Sequence, residues 1–207
     1  FMKNYLLKYT LLFCFTTLYS QVSYNSNPTS FDNDLDDIIS FYNTEELDFN
    51  QLRIQDELDA KQGLPYRFGY SFDVDIDFFN LAMCDTLVNG DKVYRLKIGS
   101  KDAYSINLIF NQFYLSEGAE LFVYNQDHTD VIGAFTNANN KIYKRFSTAP
   151  VLGDVIVIEY FEPKFSTSKS VINISNIING YKDVFRGYED SASCNNNVNC
   201  ADFQSWH

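Results

Sequence analysis

The chain has 207 residues, of which 45% are hydrophobic and 17% aromatic, so it is long enough to build one well-developed core. Phe (19) and Tyr (15) are abundant, which favours sheets over helices. The 16 basic and 27 acidic residues give a formal charge of −11. A surface of this sign repels phosphate backbones and anionic membranes, so the composition argues against nucleic acid or a membrane surface as a partner.

The first twenty residues have the layout of a secretory signal peptide. A lysine-containing start is followed by a short apolar run at residues 11–18, and small Ser20 precedes Gln21. The run is too short to cross a bilayer as a helix. The sequence therefore predicts a signal peptide at residues 1–20, cleavage between Ser20 and Gln21, and a secreted product. The alternative interpretation is a buried N-terminal helix.

Export would place the remaining cysteines in an oxidising environment. After residues 1–20 the chain has three: Cys84, Cys194 and Cys200. An odd number means that at least one partner is missing or one thiol is free. If the stretch between Cys194 and Cys200 were extended, their Cα atoms would lie about 20 Å apart, whereas a disulfide needs about 5.5 Å. They could bridge each other only across a tight loop, and pairing with other cysteines is as plausible; this chain offers only Cys84.

Residues 21–62 form an acidic segment that is expected to be partly helical. Leu35, Ile38, Ile39 and Tyr42 recur at helical spacing. The stretch "QLRIQDELDAKQG" then places Leu52, Asp56 and Asp59 on a short helix that Gly63 could end. Charge runs of this kind usually form a solvated face.

From Gly63 the periodicity changes to that of strands. In "YSFDVDIDF" apolar residues alternate with Asp73, Asp75 and Asp77, which predicts one buried and one solvated face. Alternating aspartates also suggest a calcium site. Side chains two residues apart on a strand stand about 7 Å from each other, too far apart to surround one ion without a loop. The solvated face of a strand is the better interpretation.

Further short strands follow at intervals, separated by turn signals. The Asn89-Gly90 pair suits a hairpin turn, residues 116–118 turn the chain again, and Gly153-Asp154 marks another turn. In "AELFVYNQD" the apolar residues fall on both faces, with Leu121 and Val123 on one. "DVIVIEYFEP" is apolar on both faces until Glu159, and the last predicted strand, "VINISNII", ends at Asn179-Gly180. Eight or so strands predict a mainly β fold, an antiparallel, jelly-roll-like β-sandwich over residues 63–181.

No arrangement of residues in this chain amounts to an active site. Only two histidines occur: His128 lies in a predicted hairpin turn and His207 is terminal. The G-x-S-x-G, H-E-x-x-H and C-x-x-C patterns and a glycine-rich phosphate loop do not occur. The sequence predicts no catalytic residue, metal site or cofactor within this chain.

Several of these strands together resemble a known family. The stretch "YRLKIGSKDAYSINLIFNQFYLSEGAELFVYNQDHTDVIGAFT", followed by "PVLGDVIVIEYFEP", resembles the β-rich pro-region of bacterial secreted trypsin-like serine proteases of the lysyl endopeptidase type. "QDELDAKQGLPYRFG" is similar to the approach to this pro-region, and "SCNNNVNC" to the first residues of the mature protease. The resemblance covers most of residues 52–206. The chain departs from the family at Tyr94, where Trp is frequent, and at Ser116, where Pro is frequent.

The resemblance implies a precursor cut before its catalytic domain. Residues 63–181 would be the pro-domain, and residues 182–207 a connector with the first residues of the protease. Cys194 and Cys200 would pair with cysteines beyond His207, where the catalytic triad would also lie. The cognate protease domain of the same precursor would be the partner.

The connector contains two candidate processing residues. Self-processing after lysine would use Lys182, and a broader trypsin-like specificity would use Arg186. The alternative is that both are solvated connector charges.

The predicted function is therefore the non-catalytic pro-region of a secreted serine endopeptidase precursor, assisting folding, latency or export. Without residues 1–20 the chain carries 14 basic and 27 acidic residues, a charge of −13. A protease cleft that accepts lysine is itself negative, so docking is expected away from that pocket or through a local lysine.

Two other functions stay open at this point. The chain could be an exported β-sandwich module that recognises carbohydrate or a cell surface, with aromatics from "FNQFYL" or "YEDSAS" stacking on sugars. It could also be a purely structural secreted protein.

Overall fold

The computed structural model describes residues 23, 26–33, 35 and 38–184. The expected signal peptide with Ser20 and Gln21 lies outside the described residues, as do Arg186 and the pair Cys194 and Cys200. The acidic segment is described in part.

The described residues are mainly β. Their strands are β1 (Ser40–Asn43), β2 (Tyr70–Asp77), β3 (Met83–Thr86), β4 (Lys92–Gly99), β5 (Ser105–Tyr114), β6 (Glu120–Asn125), β7 (Val131–Phe135), β8 (Phe146–Ser147), β9 (Val151–Leu152), β10 (Val155–Glu162) and β11 (Val171–Gly180). The α-helices are α1 (Phe49–Lys61) and α2 (Phe78–Leu81), and 3₁₀ turns occur at Thr29–Phe31 and Asn137–Asn139.

The strands form two sheets. The larger has six strands in the order β1-β4-β10-β6-β7, with β3 pairing with the other half of β4. The smaller has five, in the order β2-β11-β5-β8, with β9 also on β5. Every pairing is antiparallel except that of β1 with β4. Strand β2 therefore lies at one edge of the smaller sheet and β8 at the other.

Both sheets contribute side chains to one hydrophobic core. Leu96 and Ile158 come from the larger sheet, and Leu108 and Ile174 from the smaller. Each such side chain stabilises the fold by about 1.5–3 kcal/mol relative to leaving it in water. Strand β6 shows how period two sorts the residues: Leu121 and Val123 join this core. Phe122 and Tyr124 join a second cluster that also contains Ala134 and Val157.

The predicted strands and turns are largely confirmed. On β2, Ile76 is buried while the three aspartates are exposed. Gly90 has φ +90° in the turn between β3 and β4, and Gly153 has φ +107° before β10. These conformations are ones that glycine adopts without strain.

The helix expected around residues 35–42 is wrong for its described part. Tyr42 lies on β1, opposite Ile98, in a strand parallel to β4. The strand forms because the half of β4 not covered by β3 offers unpaired backbone groups. The helix predicted after it is confirmed. It begins where Asp48 accepts hydrogen bonds from the amides of Asn50 and Gln51, at 3.0 and 3.1 Å.

A methyl group at Gly133 should destabilise the fold. In β7 this residue has φ +127°, and a Cβ would lie 2.7 Å from the carbonyl oxygen of Leu121. We expect Gly133→Ala to lower the free energy of unfolding by about 2–4 kcal/mol, since both backbone strain and a backbone clash result. The control is Gly63→Ala, where φ is +71° but no atom lies within 4 Å. It should cost about 1 kcal/mol. Urea unfolding followed by circular dichroism measures both, and equal losses would contradict the prediction.

Candidate functional site

The chain leaves the described β-domain beside helix α1. Strand β11 ends at Gly180, and the Lys182 amide donates a 3.3 Å hydrogen bond to the carbonyl of Phe68. Lys182, one of the two predicted processing residues, thus lies against the segment that enters β2.

The Lys182 ammonium binds the Asp56 carboxylate, which also accepts hydrogen bonds from two other residues. Asp56, on α1, accepts hydrogen bonds from Arg67 Nη2 at 2.8 Å and Nε at 3.1 Å. The Tyr181 hydroxyl donates to Asp56 Oδ2 at 2.8 Å, and Lys182 Nζ lies 2.7 Å from the same oxygen. We name Asp56, Arg67, Tyr181 and Lys182 the Asp56 cluster. It joins α1, the segment before β2 and the residues after β11 through one side chain.

The environment favours the ionised form of Asp56. Burial alone would raise its pKa, but hydrogen bonds from Lys182, Arg67 and Tyr181 outweigh this and lower the pKa from 3.8 to about 2. Burial, and then the hydrogen bond to Asp56, raises the pKa of Tyr181 to about 12. The carboxylate stays charged and the phenol stays neutral over the physiological range.

The stabilisation from Asp56 should be lost in acid. Because its pKa in the folded protein, about 2, lies below 3.8, the unfolded chain takes up the proton first. The contribution is complete above about pH 4 and disappears as the pH falls through about 2. We expect the difference in unfolding free energy between wild type and Asp56→Asn to be constant at neutral pH and to shrink in that window. Urea unfolding at a series of pH values measures it, and a difference that persists undiminished in strong acid would contradict the prediction.

The inward side of α1 is mixed in character. Its half-buried residues are Phe49, Leu52, Asp56 and Asp59, which recur at helical spacing. Phe49 contacts the Tyr181 ring at 6.4 Å between centroids, while the Lys182 ammonium lies 4.3 Å from the Tyr66 ring centroid. The expectation of a wholly solvated acidic face is therefore wrong at Asp56, whose side chain is only 15% exposed. Its helical position was visible in the sequence, but its partners were not.

A second polar site lies on the outer face of the larger sheet. Glu159 is fully buried there and accepts hydrogen bonds from the Tyr124 hydroxyl at 2.9 Å and the Ser30 amide at 3.1 Å. Burial, followed by the Glu159 charge, raises the pKa of Tyr124. Phe31 packs on Tyr124 and stacks on His128 at 4.2 Å. Residues 28–31 thus cover this face.

A cavity of about 270 Å³ lies beside residues 28–31. Its wall includes the cationic side chains of Arg95 and Lys97 and the His128 ring. His128 itself has φ +59° in the turn between β6 and β7, so its prediction as a turn residue is confirmed.

A cavity of about 640 Å³ opens where β4 and β10 meet the loop before β11. The aromatic rings of Phe79 and Tyr94 line it together with Lys92, Glu162 and residues 166–170 of the loop. Burial, followed by a hydrogen bond with Cys84, raises the pKa of Tyr94. The cavity combines aromatic faces, hydroxyls and charges of both signs.

The aspartates of β2 contact amides of the neighbouring strand. Asn176 donates to Asp73 at 2.7 Å, and Asn173 donates to Asp75 at 2.9 Å. In the described part of the chain, no group of three or more His, Cys, Asp or Glu side chains is placed to hold a metal ion. Cys84, on β3, has an exposed free thiol.

None of the helices within the described ranges combines the length and apolar character needed to cross a bilayer. No protein-family model matches the chain, and no solved structure matches it.

Proposed function

We propose that the chain is the non-catalytic N-terminal pro-region of a secreted serine endopeptidase precursor. It comprises a signal peptide, an acidic segment, a β-domain and a connector that continues into the protease. The two sheets around their common core form a jelly-roll-like antiparallel sandwich. The observation that carries the proposal is the resemblance of residues 94–136 and 150–163 to the pro-region of lysyl endopeptidase-type proteases.

The placement of these residues supports the proposal. They supply most of β4 and all of β6 and β10 in the larger sheet, and β5 in the smaller one, and each of these strands contributes buried side chains to the core. Two members of the Asp56 cluster, Tyr181 and Lys182, lie at the boundary between pro-domain and connector that the resemblance implies. The exit towards the following domain is thus anchored to α1.

The pro-region assists folding, latency or export of the cognate protease domain in the same precursor. Its net negative charge makes the lysine-accepting cleft of that protease a poor docking place. Lys182, the lysine nearest the junction, is already bound by Asp56. Contact with the protease therefore uses a surface away from its substrate pocket.

The test is made in the precursor expressed from the full open reading frame. Deleting residues 23–184 should reduce secreted active protease several-fold or more, and co-expression of the 207-residue chain as a separate polypeptide should restore part of it. A reading frame that ends at His207, or a deletion without effect on protease yield, would reject the function.

The 640 Å³ cavity favours a second candidate, an exported module that binds carbohydrate. Ring faces beside hydroxyl groups suit sugar binding. Of the "FNQFYL" aromatics, Phe110 and Phe113 are buried in the core and cannot stack on a sugar, whereas Tyr114 is 37% exposed. Glycan-array binding by the 207-residue chain that Ser168→Trp abolishes would favour this candidate. Absence of any binding would remove it.

A further inference from the structure

Four large apolar side chains are exposed on the segment that leads from α1 into β2. Leu64 is 51% exposed and Tyr66 72%, and Phe68 and Tyr70 are each 36% exposed. We name these four residues the exit face. Exposed apolar patches mark interaction sites, whereas apolar residues exposed singly are normal, and these four recur on one short segment.

The exit face lies where the chain leaves the domain. The Lys182 amide bonds to the carbonyl of Phe68, the Lys182 ammonium lies over the Tyr66 ring, and Tyr70 pairs with Asn179 of β11. Strand β2 is at the edge of the smaller sheet, so the side of β2 away from β11 carries no partner strand among the described residues. Lys182, two residues before the end of the described range, thus contacts the exit face.

The length of the connector limits where the next domain can lie. Nine residues lie between Val184 and Cys194, so ten Cα–Cα steps join the two. Fully extended, they span at most about 36 Å. The resemblance implies that Cys194 belongs to the body of the protease, so before processing that body begins within this distance of Val184. A connector this short gives the linked domain a high effective concentration at the exit face.

We propose that the exit face is the surface on which the downstream protease domain docks in the precursor; this rests on the proposed function. The matching protease surface is apolar, with acceptors for the tyrosine hydroxyls, because exposed tyrosines contribute both ring area and a donor to interfaces. Docking here leaves the lysine-accepting pocket free of the acidic pro-region. A second copy of the chain is a poorer occupant, since two chains of charge −11 repel each other.

The experiment uses Tyr66→Ser and, as its matched control, Tyr143→Ser. Tyr143 is 66% exposed and lies before β8, at the opposite edge of the same sheet. Hydrogen exchange of residues 64–70 is compared between the full precursor and the 207-residue chain, and the yield of active protease is measured. We expect slower exchange in the precursor. Tyr66→Ser should remove that protection and reduce the yield several-fold, whereas Tyr143→Ser should change neither.

The other outcomes separate the two proposals. Equal exchange in the precursor and the 207-residue chain, together with a yield that still depends on residues 23–184, overturns the docking face and leaves the proposed function standing. A yield that does not depend on residues 23–184 rejects both. Protection already present in the 207-residue chain and dependent on its concentration would assign the exit face to a second copy and overturn the proposal.

Discussion

Replacing Asp56 with asparagine should open the Lys182–Asp183 bond to a lysine-specific endopeptidase that leaves this bond intact in the folded wild type. Such an enzyme binds several residues around the bond in extended form and takes the lysine side chain into its pocket. In the folded domain the Lys182 ammonium is bound to Asp56, and Asn179 is paired with both β2 and β5. Cleavage therefore requires a local opening that breaks the Asp56 cluster, and the free energy of that opening sets the rate.

The size of the effect follows from the burial of the charges. Asp56→Asn keeps a neutral acceptor but removes the charge that faces Arg67 and Lys182, whose side chains are 33% and 24% exposed. Breaking a buried pair costs several kcal/mol, and partial solvation reduces this to about 2 kcal/mol, on the order of 30-fold in the population of the open form. We expect an increase of about this size in the cleavage rate after Lys182.

The control variant is Asp59→Asn. Asp59 is on the same helix, but it approaches Arg67 only to 3.8 Å and accepts a hydrogen bond from Gln55. The rate of cleavage after Lys182 in Asp59→Asn should differ from that in the wild type by less than about threefold. Mass spectrometry of the fragment that ends at Lys182 gives the rate, with cleavage after exposed Lys144 as the internal reference. Rapid cleavage after Lys182 in the wild type, or equal rates in all three proteins, would contradict the prediction.

The result bears on which of the two predicted processing residues is used. If Lys182 is protected in the folded domain, the proposed precursor would be processed at Arg186 while it is folded. A fragment that ends at Lys182 would then mark a pro-domain that has unfolded. Sequencing the N-terminus of the mature protease distinguishes the two positions.

The β-strands could be predicted because their signals are local. Alternation in β2 and the two apolar faces of β6 both depend on neighbouring residues, and the structure follows them. Strand β1 could not be predicted in this way, because Tyr42 becomes part of a strand only by pairing with β4, more than fifty residues further along the chain.

The Asp56 cluster was beyond the reach of sequence spacing for the same reason. The helical position of Asp56 could be read from its spacing to Leu52. The meeting of Asp56 with Tyr181, 125 residues away, depends on how β11 ends beside α1. A helix that buries no residue completely gives no pattern from which its docking side could be inferred.

Glu159→Leu should cause a large loss of stability. Glu159 is the first residue that interrupts the apolar run of β10 in the sequence, yet it is fully buried. It lies opposite Arg95 in the strand register, a residue only 6% exposed that forms a 2.8 Å ion pair with Asp85. The Glu159 carboxylate accepts hydrogen bonds from the Tyr124 hydroxyl and the Ser30 amide. Leucine would leave the Tyr124 hydroxyl and the Ser30 amide without this acceptor, so we expect a loss of about 2–5 kcal/mol in the free energy of unfolding. Glutamine keeps an acceptor oxygen and should cost about 1–3 kcal/mol.

The matched control is Glu162→Leu, three residues further along β10. Glu162 lies opposite Lys92 and is half-buried at the rim of the 640 Å³ cavity. Its replacement should change the free energy of unfolding by less than about 1 kcal/mol. Urea unfolding followed by circular dichroism compares the variants at neutral pH. A loss at Glu159→Leu no larger than that at Glu162→Leu would contradict the account of the buried carboxylate.

Loss of Glu159 should also detach residues 28–31 from the outer face of the larger sheet. The Ser30 amide donates directly to Glu159, and Phe31 packs against the cluster that contains Phe122 and Val157. Hydrogen exchange at the Ser30 amide should therefore accelerate in Glu159→Leu, and accelerate less in Tyr124→Phe, which keeps the acceptor. Uncovering this cluster would give the chain a second apolar surface besides the exit face. In the otherwise wild-type chain, Tyr66→Ser should abolish docking to the proposed protease domain. If the newly exposed cluster can bind that domain instead, Tyr66→Ser combined with Glu159→Leu should no longer abolish docking.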